Sequence, residues 1–314
     1  MAVTVDGMTV DMPKAWASTQ LAKGFEQSVI GQLKGTDDIF SLGETVIPQY
    51  EGGFEVGYVG ELGMKPTSDV KLTTKTLTSH KFAGIIVVSR EFAQRNPAQM
   101  LGFIERDMQN AVSRQVDYAV MYGKSAKTGA FVPGVEAEKN YLDATTLRTE
   151  LNLANPLAPQ ILAGYDSVLN GTRGEFADPN GFALDPRLRS NLAMMTQMAQ
   201  QPLGSDARFL PNLATTYDSV AGLRAVYGRS VSGRIGTNAE TPTRGFIGDW
   251  TNGLRWGFVD GVSIQRSNEA TIVDSAGQTI HLFQQNATAL LIEFAIGWSV
   301  MDPSYFAAYD DAAA

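Results

Sequence analysis

Hydrophobic residues recur with a helical period over one long stretch, from about residue 97 to residue 122. Asn96 offers a capping side chain, Pro97 fits the first helical position, and Gly123 can end the helix. The pattern therefore predicts a spine helix over about 97–122, long enough for an elongated molecule. Its predicted apolar face consists of Leu101, Ile104, Met108, Ala111, Val112, Ala119 and Tyr122.

Residues 1–48 contain only a short helical pattern, over Ala15–Leu33. The apolar positions in this pattern are too sparse to form a core of their own. We therefore expect the segment to be an arm that lies along something else. The apolar positions are Leu21, Phe25, Ile30 and Leu33.

Glycines punctuate the chain after residue 49, and two strand-like stretches follow, Asp69–Ser79 and Lys81–Ser89. The pattern predicts a long β-hairpin over 49–84. The first stretch is rich in threonine and poor in large apolar residues, so neither face suits a core. Because a two-stranded ribbon is only marginally stable alone, we expect it to lie on a neighbouring subunit. The glycines are Gly52, Gly53, Gly57, Gly60 and Gly63.

Mixed helical and strand patterns between residues 155 and 260 predict a second, compact lobe. Its predicted helices are Pro159–Leu169 and Pro186–Ala199, and a Gly/Pro loop follows over Gln201–Pro211. Its predicted strands are Gly181–Leu184, Leu223–Tyr227, Phe246–Gly248, Leu254–Phe258 and Val262–Arg266. Near the C-terminus we predict strands that return to the spine helix: Thr279–Gln284, Ala287–Val300 and Tyr305–Tyr309.

Composition narrows the possible chemistry. The 314 residues are 44% hydrophobic, which is enough for a packed core. The chain has no cysteine and two histidines, His80 and His281, so disulfides, thiolate zinc sites and multi-histidine sites are excluded. A net charge of −8 argues against tight DNA binding, which needs clustered Lys and Arg. We expect no cofactor, no metal and at most weak, non-specific contact with DNA.

Targeting signals are not evident in the sequence. The N-terminal residues have neither a basic region nor an apolar core of a signal peptide. The longest apolar stretch, Ala287–Met301, is interrupted by Glu293 and is shorter than the roughly 20 residues of a membrane helix. The sequence therefore predicts a cytoplasmic setting without a membrane segment.

The sequence matches known enzyme motifs only weakly. Tyr122-Gly123-Lys124-Ser125 resembles the end of a phosphate-binding loop, but Tyr118 occupies the position of its first glycine. The helix also ends there instead of beginning, so Gly123 is better interpreted as a helix C-cap. No visible motif supplies a nucleophile or cofactor loop, and both histidines suit structural roles. A soluble hydrolase is the least favoured function.

The order of elements and several local motifs resemble the HK97-like capsid fold of tailed bacteriophages. Each motif is loose, and their order and spacing from about residue 40 onward carry the resemblance. The matching stretches are Glu61–Asp69 as an E-loop tip, Val87–Glu91 before the spine helix, Gly181–Pro186, Gly248–Trp250, Gly261–Ser267, Ile292–Phe294 and Asp302–Phe306.

The resemblance implies an α+β fold with four parts. Family members often carry a long N-terminal scaffolding segment, whereas here the arm begins almost at Met1. We infer that scaffolding is separate, already removed or dispensable. The implied parts are an N-terminal arm (1–48), an E-loop hairpin (49–84), a P-domain (85–154 and 262–303) and a mixed α/β A-domain (155–261 and 304–314).

The implied function is that of a major capsid protein, which self-assembles into pentamers and hexamers of an icosahedral head around double-stranded DNA. Implied partners are other copies of the chain, a scaffolding protein, a portal and a decoration protein. The protein would belong to the virion and assemble in the host cytoplasm. An encapsulin-type nanocompartment, which shares the fold but encloses cargo enzymes, is the main alternative.

The resemblance also implies two sets of site residues. Some family members join an E-loop lysine to a P-domain asparagine with a glutamate as catalyst, and Lys65, Asn286 and Glu293 are of the required types. Alternatively, Lys65 is a solvated cation, Asn286 a turn residue and Glu293 a strand carboxylate paired with an arginine. Inter-subunit contacts are expected at the loop tip, through Gly63, Met64, Lys65, Pro66, Asp69 and Leu72.

Overall fold

Two β-sheets and one long helix organise the chain, as seen in a computed structural model. The structure describes residues 22–35, 44–52, 55–61, 63–69, 71–91, 97–152, 155, 157–172, 176–189, 192, 219–220, 222–234, 239–274 and 277–312. Asn96, Leu21, the loop 201–211 and most of the predicted helix Pro186–Ala199 lie outside this part of the chain.

Helices and strands are both well represented, which confirms the predicted α+β class. The α-helices are α1 (Val29–Leu33), α2 (Pro97–Tyr122) and α3 (Leu157–Leu169), and residues 22–27 are also helical. The strands are β1 (Glu44–Tyr50), β2 (Leu72–Ser89), β3 (Arg148–Leu151), β4 (Gly181–Leu184), β5 (Ser219–Val220), β6 (Leu223–Tyr227), β7 (Thr243–Gly248), β8 (Leu254–Ser267), β9 (Thr271–Val273), β10 (Thr279–His281), β11 (Ala287–Val300) and β12 (Phe306–Asp311).

The spine helix α2 has the predicted bounds. It ends at Gly123, whose φ of +68° and N–H bond to the Ala119 carbonyl form a left-handed C-cap. Ile104, Met108 and Val112 are buried, but Ala111 is exposed because it lies at the margin of this face, so the prediction is wrong there. The last two turns are buried nearly all round, and Tyr122 there meets Phe246 of β7 with ring centroids 6.3 Å apart.

The first sheet has four strands in the order β1-β2-β11-β8. The two strands predicted for the hairpin are a single strand, β2, because Ser79 and Lys81 both pair with β11. The hairpin consists instead of β1 and the first half of β2, with Tyr50 opposite Leu72. The prediction of two strands was wrong because β11 spans the apparent break at His80.

Strand β8 is a single strand where two were predicted. Asp260-Gly261 is a common turn signal, and it suggests two strands, Leu254–Phe258 and Val262–Arg266. The structure accommodates it as a bulge, because the register against β11 shifts between Glu293 and Ala295. The chain therefore enters the four-stranded sheet at Leu254, whereas the predicted boundary between the A-domain and the P-domain lies between residues 261 and 262.

The second sheet has six strands in the order β3-β12-β7-β4-β6-β5. Strands β4 and β6 match their predicted bounds, and helix α3 begins two residues before its predicted start. Strand β12 lies between β3 and β7 and so does not return to the spine helix. Strand β3 was predicted to lie with the P-domain, but it belongs to this sheet because it pairs with β12.

Two connections between the sheets lie side by side. The connection from β7 to β8 (249–253) lies beside the connection from β11 to β12 (301–305). The Asp249 N–H bonds to the Tyr305 carbonyl, and the Met301 N–H bonds to the Gly253 carbonyl, at 3.1 and 2.9 Å. We call residues 249–253 and 301–305 the junction.

A small two-stranded sheet, β9 with β10, follows β8. It has its own apolar cluster, in which Leu282 is fully buried and Ile272 and Ile280 pack beside it. The predicted strand Thr279–Gln284 is shorter than expected because a turn begins at Leu282. No helix within the described part of the chain has the length and hydropathy to cross a membrane.

Candidate assembly surface

The loop between β1 and β2 presents apolar side chains to solvent. Tyr58 is 99% exposed and Met64 is 96% exposed, and Val56 is nearly as exposed. All six residues predicted for inter-subunit contact are exposed, namely Gly63, Met64, Lys65, Pro66, Asp69 and Leu72. We call Val56, Tyr58, Met64 and Leu72 the loop surface.

Hydrogen bonds hold the two sides of this loop together. The Ser68 hydroxyl accepts the Glu55 N–H at 3.1 Å and donates to the Glu55 carbonyl at 2.9 Å. At the base, the Glu51 N–H bonds to the Lys71 carbonyl and the Lys71 N–H bonds to the Gly52 carbonyl. The loop therefore has defined structure although its apolar side chains have no cover in one copy.

An aromatic contact anchors the base of the loop to the second lobe. The rings of Tyr50 and Phe176 meet edge to face with their centroids 6.3 Å apart. Gly52 has a φ of +91°, and a Cβ there would lie 2.9 Å from the Phe176 ring. Glycine is therefore needed at this position for both backbone angle and space.

One face of the four-stranded sheet is also apolar and open. Cross-strand partners share a face, so Ile85 lies beside Leu291 and Val87 lies beside Ala289. Ile85 is 51% exposed, and Val87 is also exposed. We call Ala83, Ile85, Val87 and Leu291 the open sheet face. The sequence analysis missed it.

The opposite face of the same sheet is covered. Phe294 packs against Phe82 and Phe25, with ring centroids 5.7 and 6.1 Å apart. Leu290 and Ile292 on this face are buried as well. The sheet therefore has one face in the core and one face available for contact.

The residues considered for crosslinking lie in three different places. Lys65 is exposed on the loop, Asn286 occupies a turn with a φ of +49°, and Glu293 lies within β11. Seven residues of extended chain separate Asn286 from Glu293, which corresponds to about 23 Å at ~3.3 Å per residue. One copy therefore does not bring the asparagine and the glutamate together.

Glu293 has a lysine as partner instead of the predicted arginine. The Lys81 ammonium lies 2.8 Å from the Glu293 carboxylate, on the open sheet face. Because the Lys81 side chain is largely exposed to solvent, the ion pair contributes about 0–1 kcal/mol to stability. The sequence around Glu293 does not indicate this diagonal pair, because it does not show which residues of β2 lie opposite β11.

Charged residues at the β3 edge of the second sheet form structural ion pairs. Arg148 bridges Asp143 and Asp310, with both contacts at 2.8 Å. Burial raises the pKa of Asp143, and Arg148 opposes that rise. Among the described residues, no group of three or more acidic or histidine side chains could hold a metal ion.

Both histidines contact neighbouring side chains. The His80 ring lies 4.9 Å from the Trp298 ring, and burial lowers the pKa of His80 while Glu138 opposes this effect. His281 is exposed, and its Nδ1 lies 3.2 Å from the Thr271 hydroxyl. These contacts are consistent with the structural roles expected for both residues.

The chain is similar to known phage capsid proteins. A family model described as "Phage capsid family" matches residues 9–311. Two proteins named "Probable major capsid protein gp17" are each 24% identical to the chain. That of Mycobacterium phage D29 aligns over 93% of this chain and 87% of its own length, and that of Mycobacterium phage L5 over 92% and 86%.

Solved structures show the same similarity. A chain from Gordonia phage Cozz has a TM-score of 0.71 and 29% identity, covering 92% of this chain and 87% of its own. A chain from Mycobacterium phage Ogopogo has a TM-score of 0.66 and 23% identity, with 91% and 92% covered. A structure titled "Capsid of empty GTA particle computed with C5 symmetry" has a TM-score of 0.57 and 12% identity, with 91% and 90% covered.

Proposed function

The chain belongs to the phage capsid family, and on this premise we propose that it is the major capsid protein of a phage head. Copies assemble as pentamers and hexamers into an icosahedral shell that encloses double-stranded DNA. The partners we propose are other copies of the chain, a portal, a scaffolding protein and a decoration protein. The protein then belongs to the virion and is assembled in the host cytoplasm.

One observation carries this proposal: two apolar surfaces are exposed within the described part of the chain. Strand β2 runs without interruption from the loop surface at Leu72 to the open sheet face at Ile85. Thirteen residues of extended chain span about 43 Å at ~3.3 Å per residue. The loop therefore cannot fold back onto its own sheet face, which supports cover from another copy.

Contact between two different surfaces of identical chains is heterologous. Heterologous contacts close into rings when the rotation between copies closes, and rings of five and six are the units of an icosahedral shell. We propose that the loop surface of one copy packs on the open sheet face of the next. The net charge of −8 limits DNA to weak contact and lets it move along the inner wall.

We expect Met64→Asp to prevent or strongly reduce assembly while leaving the fold of the subunit intact. Met64 is exposed in one copy, but burial of a methionine side chain contributes about 1.5–3 kcal/mol to each contact. Sedimentation of the purified protein measures the fraction in shells, and urea unfolding measures the stability of the subunit.

The matched control is Thr146→Asp, which adds the same charge at an exposed bend just before β3. It should assemble like the natural protein. If Met64→Asp assembles as well as the control, the loop surface has no part in the contacts.

Electron cryo-microscopy of the particles tests the wider proposal. We expect a shell with a portal at one vertex and DNA inside. A uniform small shell that contains cargo protein and has no portal would overturn the phage assignment in favour of a nanocompartment.

We also propose that Lys65 and Asn286 of different copies form an isopeptide bond with help from Glu293. The unprotonated Lys65 amine attacks the Asn286 amide carbon, a C–N bond forms, and ammonia leaves. Glu293 accepts the lysine proton. Since Asn286 and Glu293 of one copy are about 23 Å apart in extended chain, the glutamate comes from another copy than the asparagine.

Denaturing gel electrophoresis of purified particles tests the bond. We expect a ladder of linked chains from the natural protein and a single 33.9 kDa band from Lys65→Arg. Lys71→Arg, at the base of the same loop, is the control and should keep the ladder. A single monomer band from the natural particles would rule out crosslinking.

A further inference from the structure

A buried carboxylate connects the N-terminal segment to the spine helix. Asp117 lies on α2 and is 2% exposed. Its Oδ1 accepts the Ile30 N–H at 3.1 Å, and its Oδ2 accepts the Ser230 hydroxyl at 2.7 Å. The Val29 N–H is a further donor. The carboxylate thus accepts hydrogen bonds from the first turn of α1 and from a residue of the second lobe at the same time.

The C-terminal end of the same segment is bound at the junction. The Lys34 ammonium donates to the Thr251 carbonyl at 3.0 Å and also to the Leu254 carbonyl. In return, the Trp256 indole N–H donates to the Lys34 carbonyl at 3.2 Å. Lys34 therefore fixes the segment to the point where the chain passes from one sheet to the other.

Apolar packing fills the space between these two attachments. Phe25 contacts Trp256 and Phe294, with ring centroids 6.0 and 6.1 Å apart, and Ile30 is fully buried. Two glycines allow the close approach. A Cβ on Gly24 would lie 3.1 Å from the Gln109 carbonyl oxygen, and one on Gly228 would lie 2.1 Å from a Val29 methyl.

We propose that residues 22–35 form a clasp that holds the two sheets of one subunit together, and that protonation of Asp117 sets how tightly this clasp is closed. The clasp contacts the spine helix, the second lobe at Ser230 and the junction at Thr251. This part of the predicted arm thus stabilises its own subunit.

The electrostatics of the pocket determine the sign of the effect. Burial raises the pKa of Asp117 to about 6, and the hydrogen bonds from Ser230, Ile30 and Val29 oppose that rise. The charged groups on the packed elements do not contribute to the shift: Lys23, Glu26 and the half-buried Lys34 on the segment, Arg114 on α2, Arg224 on β6 and Arg229 beside Ser230. Burial of the charged form is the dominant cost.

When the clasp opens, Asp117 becomes solvated and its pKa returns to 3.8. The closed clasp is therefore favoured most when the carboxyl is protonated, and it weakens as the pH rises from about 4 to about 6. Above that range the carboxylate is charged in both states, so the equilibrium levels off. The closed-to-open ratio should be roughly ten-fold lower at pH 7.5 than at pH 5.

Hydrogen exchange of the full chain, read by mass spectrometry on the peptide that contains 25–34, measures this ratio. Rates are corrected for the intrinsic pH dependence of exchange. We expect the corrected protection of this peptide to fall roughly ten-fold between pH 5 and pH 7.5. The peptide that contains helix α3, which packs on β3, β7 and β12, is the internal reference and should stay constant.

Three variants separate titration from packing. Asp117→Asn cannot ionise, so its protection should be the same at both pH values, and Glu26→Gln, at an exposed carboxylate of the same segment, should behave like the natural chain. Gly228→Ala should lower protection equally at both pH values, because the added methyl displaces Val29. An equal pH dependence in the natural chain and Asp117→Asn would overturn the proposal, as would high protection in Gly228→Ala.

Discussion

Asp249→Ala is expected to destabilise the subunit by about 1.5–3 kcal/mol, because it removes a buried carboxylate that accepts several hydrogen bonds at once. Asp249 is fully buried at the start of the junction. The donors are the N–H groups of Asp178, Thr251 and Asn252 and the side-chain amides of Asn180 and Asn252, at 2.9–3.5 Å.

The loss matters because these donors belong to segments that are far apart in the sequence. Asp178 and Asn180 precede β4, whereas Thr251 and Asn252 lead into β8. Without the carboxylate, the junction loses several of the hydrogen bonds that connect the entry to β4 with the passage between sheets. Both sheets should therefore unfold at lower denaturant concentration.

Urea unfolding of the unassembled subunit, followed by tryptophan fluorescence, measures the change. The control is Asp274→Ala, in an exposed turn where the carboxylate accepts the Gln278 N–H at 2.8 Å. That variant should lose at most about 1 kcal/mol. Similar midpoints for both variants would show that the junction does not depend on the Asp249 carboxylate.

Trp298→Ala is the second change with a large expected effect, a loss of about 3–5 kcal/mol from the cavity it creates. Trp298 lies within β11 and is fully buried. Its indole N–H donates to the Asn140 carbonyl at 2.9 Å, and the Asn140 amide donates to the Trp298 carbonyl at 3.0 Å. The change therefore also removes one half of a reciprocal pair that fixes the loop after the spine helix.

Thermal and urea unfolding of the subunit both report this loss. Phe283→Ala is the matched control, because this aromatic ring is 75% exposed and its removal should change the stability by less than about 0.5 kcal/mol. Trp298→Phe should lie between the two, since it keeps most of the apolar volume but loses the N–H donor. A stability of Trp298→Ala close to that of Phe283→Ala would contradict the assignment of Trp298 to the core.

The elements with a single, uninterrupted signal could be predicted from the sequence. The spine helix has a clear period, a proline at its start and a glycine at its end, and its bounds are confirmed. Strand β4 is a short apolar run buried on both faces, and its bounds are confirmed too. In both cases the local preference and the tertiary environment agree.

Continuity of the long strands could not be predicted in this way. Ser79-His80-Lys81 and Asp260-Gly261 are polar or turn-forming, and each suggests an interruption. The partner strand β11 overrides both signals, by pairing across the first and forming a bulge at the second. Pairing over such sequence separations depends on register, which local patterns do not contain.

The exposed apolar surfaces were predicted in part. Met64 and Leu72 were expected at contacts because they lie in a hairpin without a core face, and both are exposed. The open sheet face was missed because Ile85–Val88 is apolar at every position and so resembles a strand buried on both sides. Asp117 was overlooked too, although an isolated acidic residue within the apolar run 116–122 is a signal of a buried, hydrogen-bonded carboxylate.

The continuity of β2 also determines how the subunit responds to mechanical force. β2 and β11 are paired at eleven consecutive positions, from Ser79–Gly297 to Ser89–Ala287. The hydrogen bonds of an antiparallel pair are perpendicular to the strands, so a pull on the loop loads them in shear. Bonds loaded in shear have to break together, whereas bonds that are peeled break one at a time. Tension from a neighbouring copy would thus be spread along the whole ladder before any single bond fails.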